Sequence, residues 1–386
     1  MRRIYMDANA TTPLLPEVLE AMRPYWIEQF GNASSIHQPG QHARAAVDRA
    51  RQQVAALLNC RPAEVVFTSG GTESDNMALF GLLSPGDHLI TSAIEHHAVL
   101  HAAEELAARG VDVTFLPCNR EGVVQVSALE AALKPNTKLV SVMLANNETG
   151  VVQPVGELAE RAHAVGALFH TDAIQAAGKL PLDVKQLGCD LLSISGHKMY
   201  APQGTGALFV RRNVRLKSMF FGGLHERGRR PGTENVPGIV GLGKSAEMAQ
   251  AWIAAGGPQQ LARLRDRLEL GILAAVDEAA INGGGAARVA NTSNLCFDHV
   301  EAEALVIALD LKGLAVSGGS ACQSGATEPS HVLTAMGLSE ARARASVRFS
   351  MSRLNTADEV DAVVAMLPAA VARLRELAPK KAALSF

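Results

Sequence analysis

The feature that most constrains the fold is a regular alternation of short apolar runs and longer amphipathic patterns along the first 210 residues. Helical patterns occupy 42–58, 98–109 and 155–166. The apolar runs between them are rich in β-branched residues and predict buried strands at 65–68, 88–91, 111–116, 139–144, 168–171, 191–195 and 207–210. Strands that alternate with helices form right-handed βαβ units, so we expect an α/β fold with a mainly parallel sheet flanked by helices.

The order of elements changes after residue 255. A helical pattern at 258–279 comes first, and a glycine-rich stretch follows it. The remaining patterns are strands at 292–297 and 346–350 and helices at 301–312 and 356–376. This arrangement predicts a second, smaller α+β domain.

The charge balance excludes some classes of function. The chain carries 36 Lys and Arg residues against 38 Asp and Glu residues, a formal net charge of −2. Such a chain has no overall electrostatic footprint for nucleic acid or an anionic membrane. No apolar run approaches the roughly 20 residues of a membrane-spanning helix, and the N-terminal stretch lacks the apolar core of a secretory signal. We expect a cytoplasmic protein with no nucleic-acid or membrane partner.

One cysteine stands apart from the other four. The five are widely spaced and none forms a C-x-x-C pair, which argues against a disulfide framework and a cysteine zinc site. Cys60, Cys118, Cys189 and Cys296 border apolar runs and are predicted to be buried. Cys322 lies among small, turn-forming residues, a setting typical of a reactive thiol.

Two loops at strand ends suggest cofactor chemistry. The predicted strand at 191–195 runs into Lys198, which is either a solvated loop lysine or an amine that forms a Schiff base with a carbonyl cofactor. The stretch 68–76 combines two glycines with Thr72 before a predicted helix at 77–83. It suits a phosphate or is an ordinary capped helix. It matches neither common nucleotide fingerprint.

Three further side chains have both a functional and a structural interpretation. Asp172 ends a predicted strand and could hold a ring N–H⁺ or cap a helix. Arg348 lies inside an apolar strand pattern, where it could bind a carboxylate or form a structural ion pair. His96 could stack on an aromatic ring or transfer protons. The i, i+4 pair His97 and His101 lacks the H-E-x-x-H pattern of a metal site.

These features are more informative as a set. A Schiff-base lysine, a phosphate cradle, an acid for a ring nitrogen and a carboxylate-binding arginine together indicate pyridoxal 5′-phosphate acting on an amino acid. A nicotinamide-dependent oxidoreductase is disfavoured because the glycine fingerprint is missing.

The chain resembles the NifS/IscS-type cysteine desulfurases, which are class V aminotransferase-like enzymes of fold-type I. The resemblance covers nearly the whole chain. It runs from 5–13 through 31–37 to the strand that contains Arg348. Its most specific segments are 68–76, 95–96, 146–148, 172–175, 195–198, 225–233 and 320–329. It implies a large cofactor-binding domain at 15–255 and a small domain formed by 1–14 and 256–386.

The resemblance also implies roles for individual residues. Lys198 would form the Schiff base, His96 would stack on the ring, and Asp172 would pair with the ring nitrogen. Gln175 would bind the ring hydroxyl. The phosphate would be held by Gly71, Thr72, Ser195 and His197, and by Thr233 of the second subunit of a homodimer. The substrate would be bound by Asn147, Arg348 and Asn32, and Asn147 would also lie near the cofactor.

The implied reaction takes sulfur from L-cysteine, leaves L-alanine, and forms a persulfide on Cys322 that passes to an acceptor such as an iron–sulfur scaffold protein. No resident metal is implied, although Cys322 is the residue that would ligate a transferred iron–sulfur cluster.

The alternative is selenocysteine lyase or another enzyme of the same fold, such as an aminotransferase or a kynureninase-like enzyme. A non-catalytic sulfur-carrier or assembly-scaffold protein with a decayed site is a further alternative, and the intact set of Lys198, Asp172 and His96 argues against it. Gln203 and Ala201 depart from the family pattern, and we expect them to alter the electrostatics near the phosphate. The short C-terminal tail leaves the acceptor open.

Overall fold

A computed structural model describes residues 3–318 and 328–377 of the 386-residue chain. Its strands are β1 (Ile4–Tyr5), β2 (Val65–Thr68), β3 (His88–Ser92), β4 (Asp112–Leu116), β5 (Thr137–Ser141), β6 (Leu168–Asp172), β7 (Leu191–Ser195), β8 (Gly206–Val210), β9 (Ala279–Ile281), β10 (Thr292–Phe297), β11 (Leu314–Ala315), β12 (Ser317–Gly318) and β13 (Ser346–Ser350). Its α-helices are α1 (Pro16–Met22), α2 (Pro24–Ile27), α3 (Gln38–Leu58), α4 (Gly71–Phe80), α5 (His97–Ala108), α6 (Val126–Ala132), α7 (Val155–Ala164), α8 (Val236–Ala254), α9 (Gly257–Ala275), α10 (Ala302–Asp310), α11 (His331–Ala335), α12 (Glu340–Arg344) and α13 (Ala357–Leu377).

The larger sheet has the strand order β2-β8-β7-β6-β5-β3-β4. From β7 to β4 the neighbouring strands run parallel. β8 runs antiparallel to both β2 and β7. It reverses because only residues 196–205 connect it to β7, which is too short for a crossover helix. The predicted α/β fold with a mainly parallel sheet is therefore confirmed, with β8 as its exception.

Helices cover both faces of this sheet. Neighbouring residues of a strand point to opposite faces, so Leu139 packs with α4 and α5 while Val140 packs with α3, α7 and α8. In β3, Leu89 packs on the same face as Leu139, and Ile90 packs on the same face as Val140. Burial on both faces explains why these strands appear in the sequence as continuous apolar runs.

A separate antiparallel sheet has the order β12-β13-β10-β9. Phe297 and Phe349 from this sheet share a second apolar core with α9, α10 and α13. The N-terminal Ile4 belongs to the same core, and β1 pairs with β11. The two cores support our division into a domain at 15–255 and a domain formed by 1–14 and 256–386, which we retain as a proposal.

Several elements differ from the sequence-based expectations. The helix expected at 77–83 is α4 (Gly71–Phe80), and no counterpart is predicted for the short elements α1, α2, α6, α11, α12, β1, β9, β11 and β12. β5 ends at Ser141, not at 144, because its pairing with β3 stops there. The helix expected at 258–279 ends at Ala275, and Glu278, with φ of +56°, turns the chain into β9. α8 is absent from the expectations. In the described part of the chain, no helix is long and apolar enough to cross a membrane.

Candidate active site

One cavity of about 280 Å³ brings together most of the residues selected from the sequence. It lies at the carboxyl ends of β6 and β7, which is where ligands of α/β proteins bind. Its predicted members are Gly71, Thr72, His96, Asn147, Asp172, Gln175, Ser195, His197, Lys198 and Arg348. Asn9, Ala10, Met143 and Ile174 also line it and had no role assigned from the sequence.

The start of α4 offers a seat for an anion. The N-cap residue of α4 is Gly70, which has no side chain to cap the helix, so among the described residues the backbone N–H groups of the first turn are suited to a ligand. A Cβ on Gly71 would lie 2.1 Å from Cδ1 of Ile174, and a Cβ on Gly206 would lie 2.7 Å from Cα of Gly70. Glycine therefore allows these segments to converge at the cavity.

The N-terminal segment holds the candidate Schiff-base lysine. Nζ of Lys198 donates to the backbone oxygens of Asn9 (2.5 Å) and Ala10 (2.7 Å). The backbone N–H and the Oγ1 hydroxyl of Thr12 both donate to the carbonyl of His197, at 2.9 and 2.8 Å. Sequence reasoning missed Asn9 and Ala10 because they act through backbone carbonyls, which every residue has.

Two histidines of the cavity are neutral. Burial, followed by the positive charge of Lys198, lowers the pKa of both His96 and His197 to about 4. The backbone N–H of Ala98 donates to Nδ1 of His96 (3.1 Å), which leaves the ring proton on Nε2. Nδ1 of His197 lies 3.1 Å from Oγ1 of Thr11. Neutral rings can stack on a heteroaromatic group or donate an N–H without adding a second positive charge.

Three buried carboxyl groups lie close together beside the cavity. Burial is the main cause that raises the pKa of Asp172 to about 6 and that of Glu95 to about 8. Burial and then the charge of Asp172 raise the pKa of Asp75 well above its usual range. Asp172 lines the cavity and accepts a hydrogen bond from the backbone N–H of Ile174 (2.8 Å). It is the member that can present a negative charge to a ligand.

Arg348 of β13 forms the ion pair that the sequence left open as an alternative. Its Nη2 donates to Oδ1 of Asp7 (2.8 Å), and its Nη1 donates to the backbone oxygen of Asn147 (3.0 Å). Within the described ranges, Nε of Arg348 and Oδ1 of Asn147 are buried without a hydrogen-bond partner. A buried donor and a buried acceptor on the walls of one cavity fit a ligand that carries both groups, as an amino acid does.

Four residues from the sequence analysis do not line this cavity. Asn32 is exposed, and its Oδ1 accepts from the backbone N–H of Ser34 (2.8 Å). Thr233 is exposed as well, so its role toward a second subunit stays a prediction. Gln203 is exposed and Ala201 is buried. Neither lines the cavity, and the expected change in electrostatics near the phosphate stays a prediction.

Cys322 lies outside the described residues, within 319–327. Both flanks of that segment are fixed beside the cavity. Gly318 pairs with β13 one residue from the cavity arginine. On the other side, the hydroxyl of Ser330 donates to the carboxylate of Glu148, which directly follows the cavity asparagine. The chain between these anchors therefore starts and ends next to the site.

The remaining cysteines are poor candidates for chemistry. Cys189 and Cys296 are buried as predicted, whereas the prediction of burial is wrong for Cys60 and Cys118, which are half-buried at the edge of the large core. Burial raises the pKa of the Cys60 thiol to about 12 and also raises the pKa of the other three. Across 3–318 and 328–377, no group of three or more His, Cys, Asp or Glu side chains could hold a metal ion.

The chain is similar to known proteins over nearly its whole length. Residues 4–363 match the family model described as aminotransferase class-V. The cysteine desulfurase of Trichormus azollae is 48% identical over 384 residues, which cover 99% of this chain and 96% of the relative. A solved structure described as a NifS-like protein has a TM-score of 0.90 at 34% identity, covering 96% of this chain and 100% of that chain. Another, described as SspA in complex with cysteine, has a TM-score of 0.81 at 37% identity, covering 92% and 100%.

Proposed function

Because the chain belongs to the class-V aminotransferase family, and within it to the cysteine desulfurases, we propose that it uses pyridoxal 5′-phosphate to remove the sulfur of L-cysteine. The products are L-alanine and a persulfide on Cys322. The sulfur then passes to an acceptor such as an iron–sulfur scaffold protein in the cytoplasm. The observation that carries the proposal is the convergence of an anion seat, a lysine and a buried acid in one cavity.

The donors and acceptors of the cavity fit this cofactor. The start of α4, with Ser195 and His197 nearby, suits the phosphate. Asp172 suits the protonated ring nitrogen, Gln175 suits the ring oxygen, and the amine of Lys198 suits the aldehyde. When bound, the cofactor supplies an electron-accepting ring that stabilises negative charge at the α-carbon of an amino acid.

The chain's own residues handle the protons. Lys198 takes the α-proton of the substrate and returns a proton to the carbon skeleton. The negative charge of Asp172 keeps the ring nitrogen protonated. His96, neutral and with its proton on Nε2, stacks on the ring and assists proton transfer without repelling the lysine.

Arg348 and Asn147 position the substrate. Nε of Arg348, buried without a hydrogen-bond partner among the described residues, suits the carboxylate of L-cysteine. Asn147, whose backbone oxygen accepts from the same guanidinium at 3.0 Å, lies where its side chain can help to fix that carboxylate. The Cys322 thiolate then attacks the substrate sulfur. An S–S bond forms as the carbon–sulfur bond breaks, and the electron pair of the broken bond stays with the carbon fragment, which is protonated to L-alanine.

The flanks of 319–327 support the role of Cys322, since both are fixed beside the cavity. Exposed apolar side chains support a homodimer. Ile36, 91% exposed, lies near Asn32 in the chain, and Phe221, 97% exposed, lies in the segment that leads to Thr233. A second copy that covers these segments would explain why a single chain leaves Asn32 and Thr233 outside the cavity.

The test combines cofactor uptake with product analysis. Purified protein supplied with pyridoxal 5′-phosphate should absorb as a Schiff base, lose that absorbance on borohydride reduction, and release sulfide from L-cysteine in the presence of a reductant. Cys322→Ala should keep the absorbance and lose sulfide release, while the matched control Cys118→Ala should keep both. Sulfide release by Cys322→Ala would refute the thiol assignment. Protein that takes up no pyridoxal 5′-phosphate would refute the proposed function as a whole.

A further inference from the structure

A second lysine, Lys179, is buried next to the candidate site but does not line the cavity. Its side chain is 7% exposed, and its Nζ donates to Oε1 of Gln175 at 2.7 Å. Lysine is almost never buried without a partner, because removing an ammonium group from water is costly. Burial, followed by the charges of Lys198 and Arg348, lowers the pKa of Lys179 to about 7. The reaction described above does not use this residue.

The contact determines which way the amide of Gln175 points. An ammonium group only donates hydrogen bonds, so the atom of Gln175 that faces Lys179 must be the oxygen. The nitrogen of the amide supports the same orientation, since Nε2 of Gln175 donates to the backbone oxygen of Asn9 at 3.0 Å. A flipped amide would place two acceptors against each other there. Removal of the Lys179 side chain would take away one of these two hydrogen bonds and leave the bond to the Asn9 carbonyl to oppose rotation of the amide.

This contact is part of a continuous chain of hydrogen bonds. The oxygen of Asn9 that accepts from Gln175 also accepts from Nζ of Lys198 at 2.5 Å. Lys179, Gln175, Asn9 and Lys198 are therefore linked in sequence. Only one of the two Nε2 hydrogens of Gln175 is used by Asn9, so the second remains for the cavity that Gln175 lines.

We propose that Lys179 is a positioning residue that holds the amide of Gln175 with its N–H side toward the cavity, so that the site offers a hydrogen-bond donor to the ring oxygen of the cofactor. The ring oxygen is then bound as a hydrogen-bond acceptor. This inference rests on the proposed function, because it assumes that the cavity binds pyridoxal 5′-phosphate.

The test is a double-mutant cycle on cofactor binding to the apoprotein. The variants are Lys179→Met, Gln175→Leu and the double variant, with Lys185→Met as the control for loss of an exposed lysine outside the cavity. The readouts are the dissociation constant of pyridoxal 5′-phosphate, the absorbance maximum of the bound cofactor and the thermal unfolding of the apoprotein.

Lys179→Met should weaken cofactor binding about five- to tenfold, the effect of losing one oriented hydrogen bond, and should shift the absorbance maximum. In the Gln175→Leu background the same change should have no further effect on either readout. Lys179→Arg, which keeps an N–H donor, should bind the cofactor within about twofold of wild type and covers the case in which Lys179→Met does not fold. Lys185→Met should match wild type throughout.

Two results would overturn the inference while the proposed function stands: wild-type affinity and absorbance in Lys179→Met, or an equal loss of affinity with and without Gln175. Wild-type protein that takes up no pyridoxal 5′-phosphate would overturn the proposed function and this inference together.

Discussion

The buried ion pair between Arg51 and Glu226 should be among the most costly contacts to break. The two side chains are 6% and 3% exposed. The guanidinium reaches both carboxylate oxygens, at 2.7 and 2.6 Å, and the backbone N–H of Phe67 donates to the same carboxylate at 3.1 Å. Glu226 has φ of +47°, so the pair holds an unfavourable turn against β2. That turn lies in the segment leading to Thr233.

Glu226→Ala removes all three of these contacts and leaves Arg51 with the carbonyl of Val65, at 2.8 Å, and the ring of Phe67, whose centroid lies 4.6 Å from Cζ of Arg51. An uncompensated buried charge costs about 3–5 kcal/mol, so the free energy of unfolding, measured by equilibrium urea denaturation, should fall by that amount. The double variant Arg51→Met/Glu226→Leu should recover most of the loss because it removes both charges. As the control, Glu20→Ala removes an exposed partner of Arg23 and should cost less than about 1 kcal/mol.

Two results would refute this reasoning. One is a loss below about 1 kcal/mol for Glu226→Ala, which would mean that water reaches the arginine. The other is a double variant no more stable than Glu226→Ala, which would mean that the side chains matter for their shape and not for their charges.

Three further predictions concern pH and the Cys322 segment. The melting temperature of Glu95→Gln should rise relative to that of wild type as pH increases from 5 to 9. In the folded protein Glu95, with a pKa of about 8, keeps a proton that the unfolded chain releases near the ordinary pKa of 4.5. A difference in melting temperature that stays constant with pH, as expected for the exposed control Glu104→Gln, would contradict this. In His96→Asn, the melting temperature should fall less than in wild type as pH decreases from 6.5 to 4. The folded protein keeps this ring neutral down to about pH 4, whereas the unfolded chain protonates it from about pH 6.5. An unchanged dependence of the melting temperature on pH would count against the neutral ring. Ser330→Ala should slow sulfide release several-fold while cofactor absorbance stays unchanged, because it removes the hydrogen bond to Glu148 that fixes the chain after residue 327. A parallel loss of cofactor absorbance would show that Ser330 has a wider structural role.

The strands of the fold are well predicted where burial leaves a clear pattern. β2, β7, β10 and β13 have the bounds expected from their apolar runs. α8 is not predicted from the sequence because it is rich in small residues and buried around most of its circumference. Its residues therefore show no amphipathic periodicity. The antiparallel direction of β8 follows from the length of its connection and not from its residues.

The candidate site is predictable where side chains act and not where the backbone does. Lys198, Asp172 and His96 belong to residue types with specific chemistry at strand ends or helix starts, and the structure brings them to one cavity. The carbonyls of Asn9 and Ala10 leave no signal in residue type. In the proposed homodimer, the roles of Asn32 and Thr233 would depend on a second chain, which no pattern within one chain can position.

The most direct test of the account is to find where the substrate sulfur goes. The protein loaded with pyridoxal 5′-phosphate is incubated with sulfur-isotope-labelled L-cysteine without reductant, blocked with an alkylating reagent, digested and examined by mass spectrometry. We predict one additional labelled sulfur atom on the peptide that contains Cys322, with L-alanine formed in equal amount. Label on a peptide containing Cys60, Cys118, Cys189 or Cys296, or L-alanine formed without any protein-bound label, would contradict the central claim.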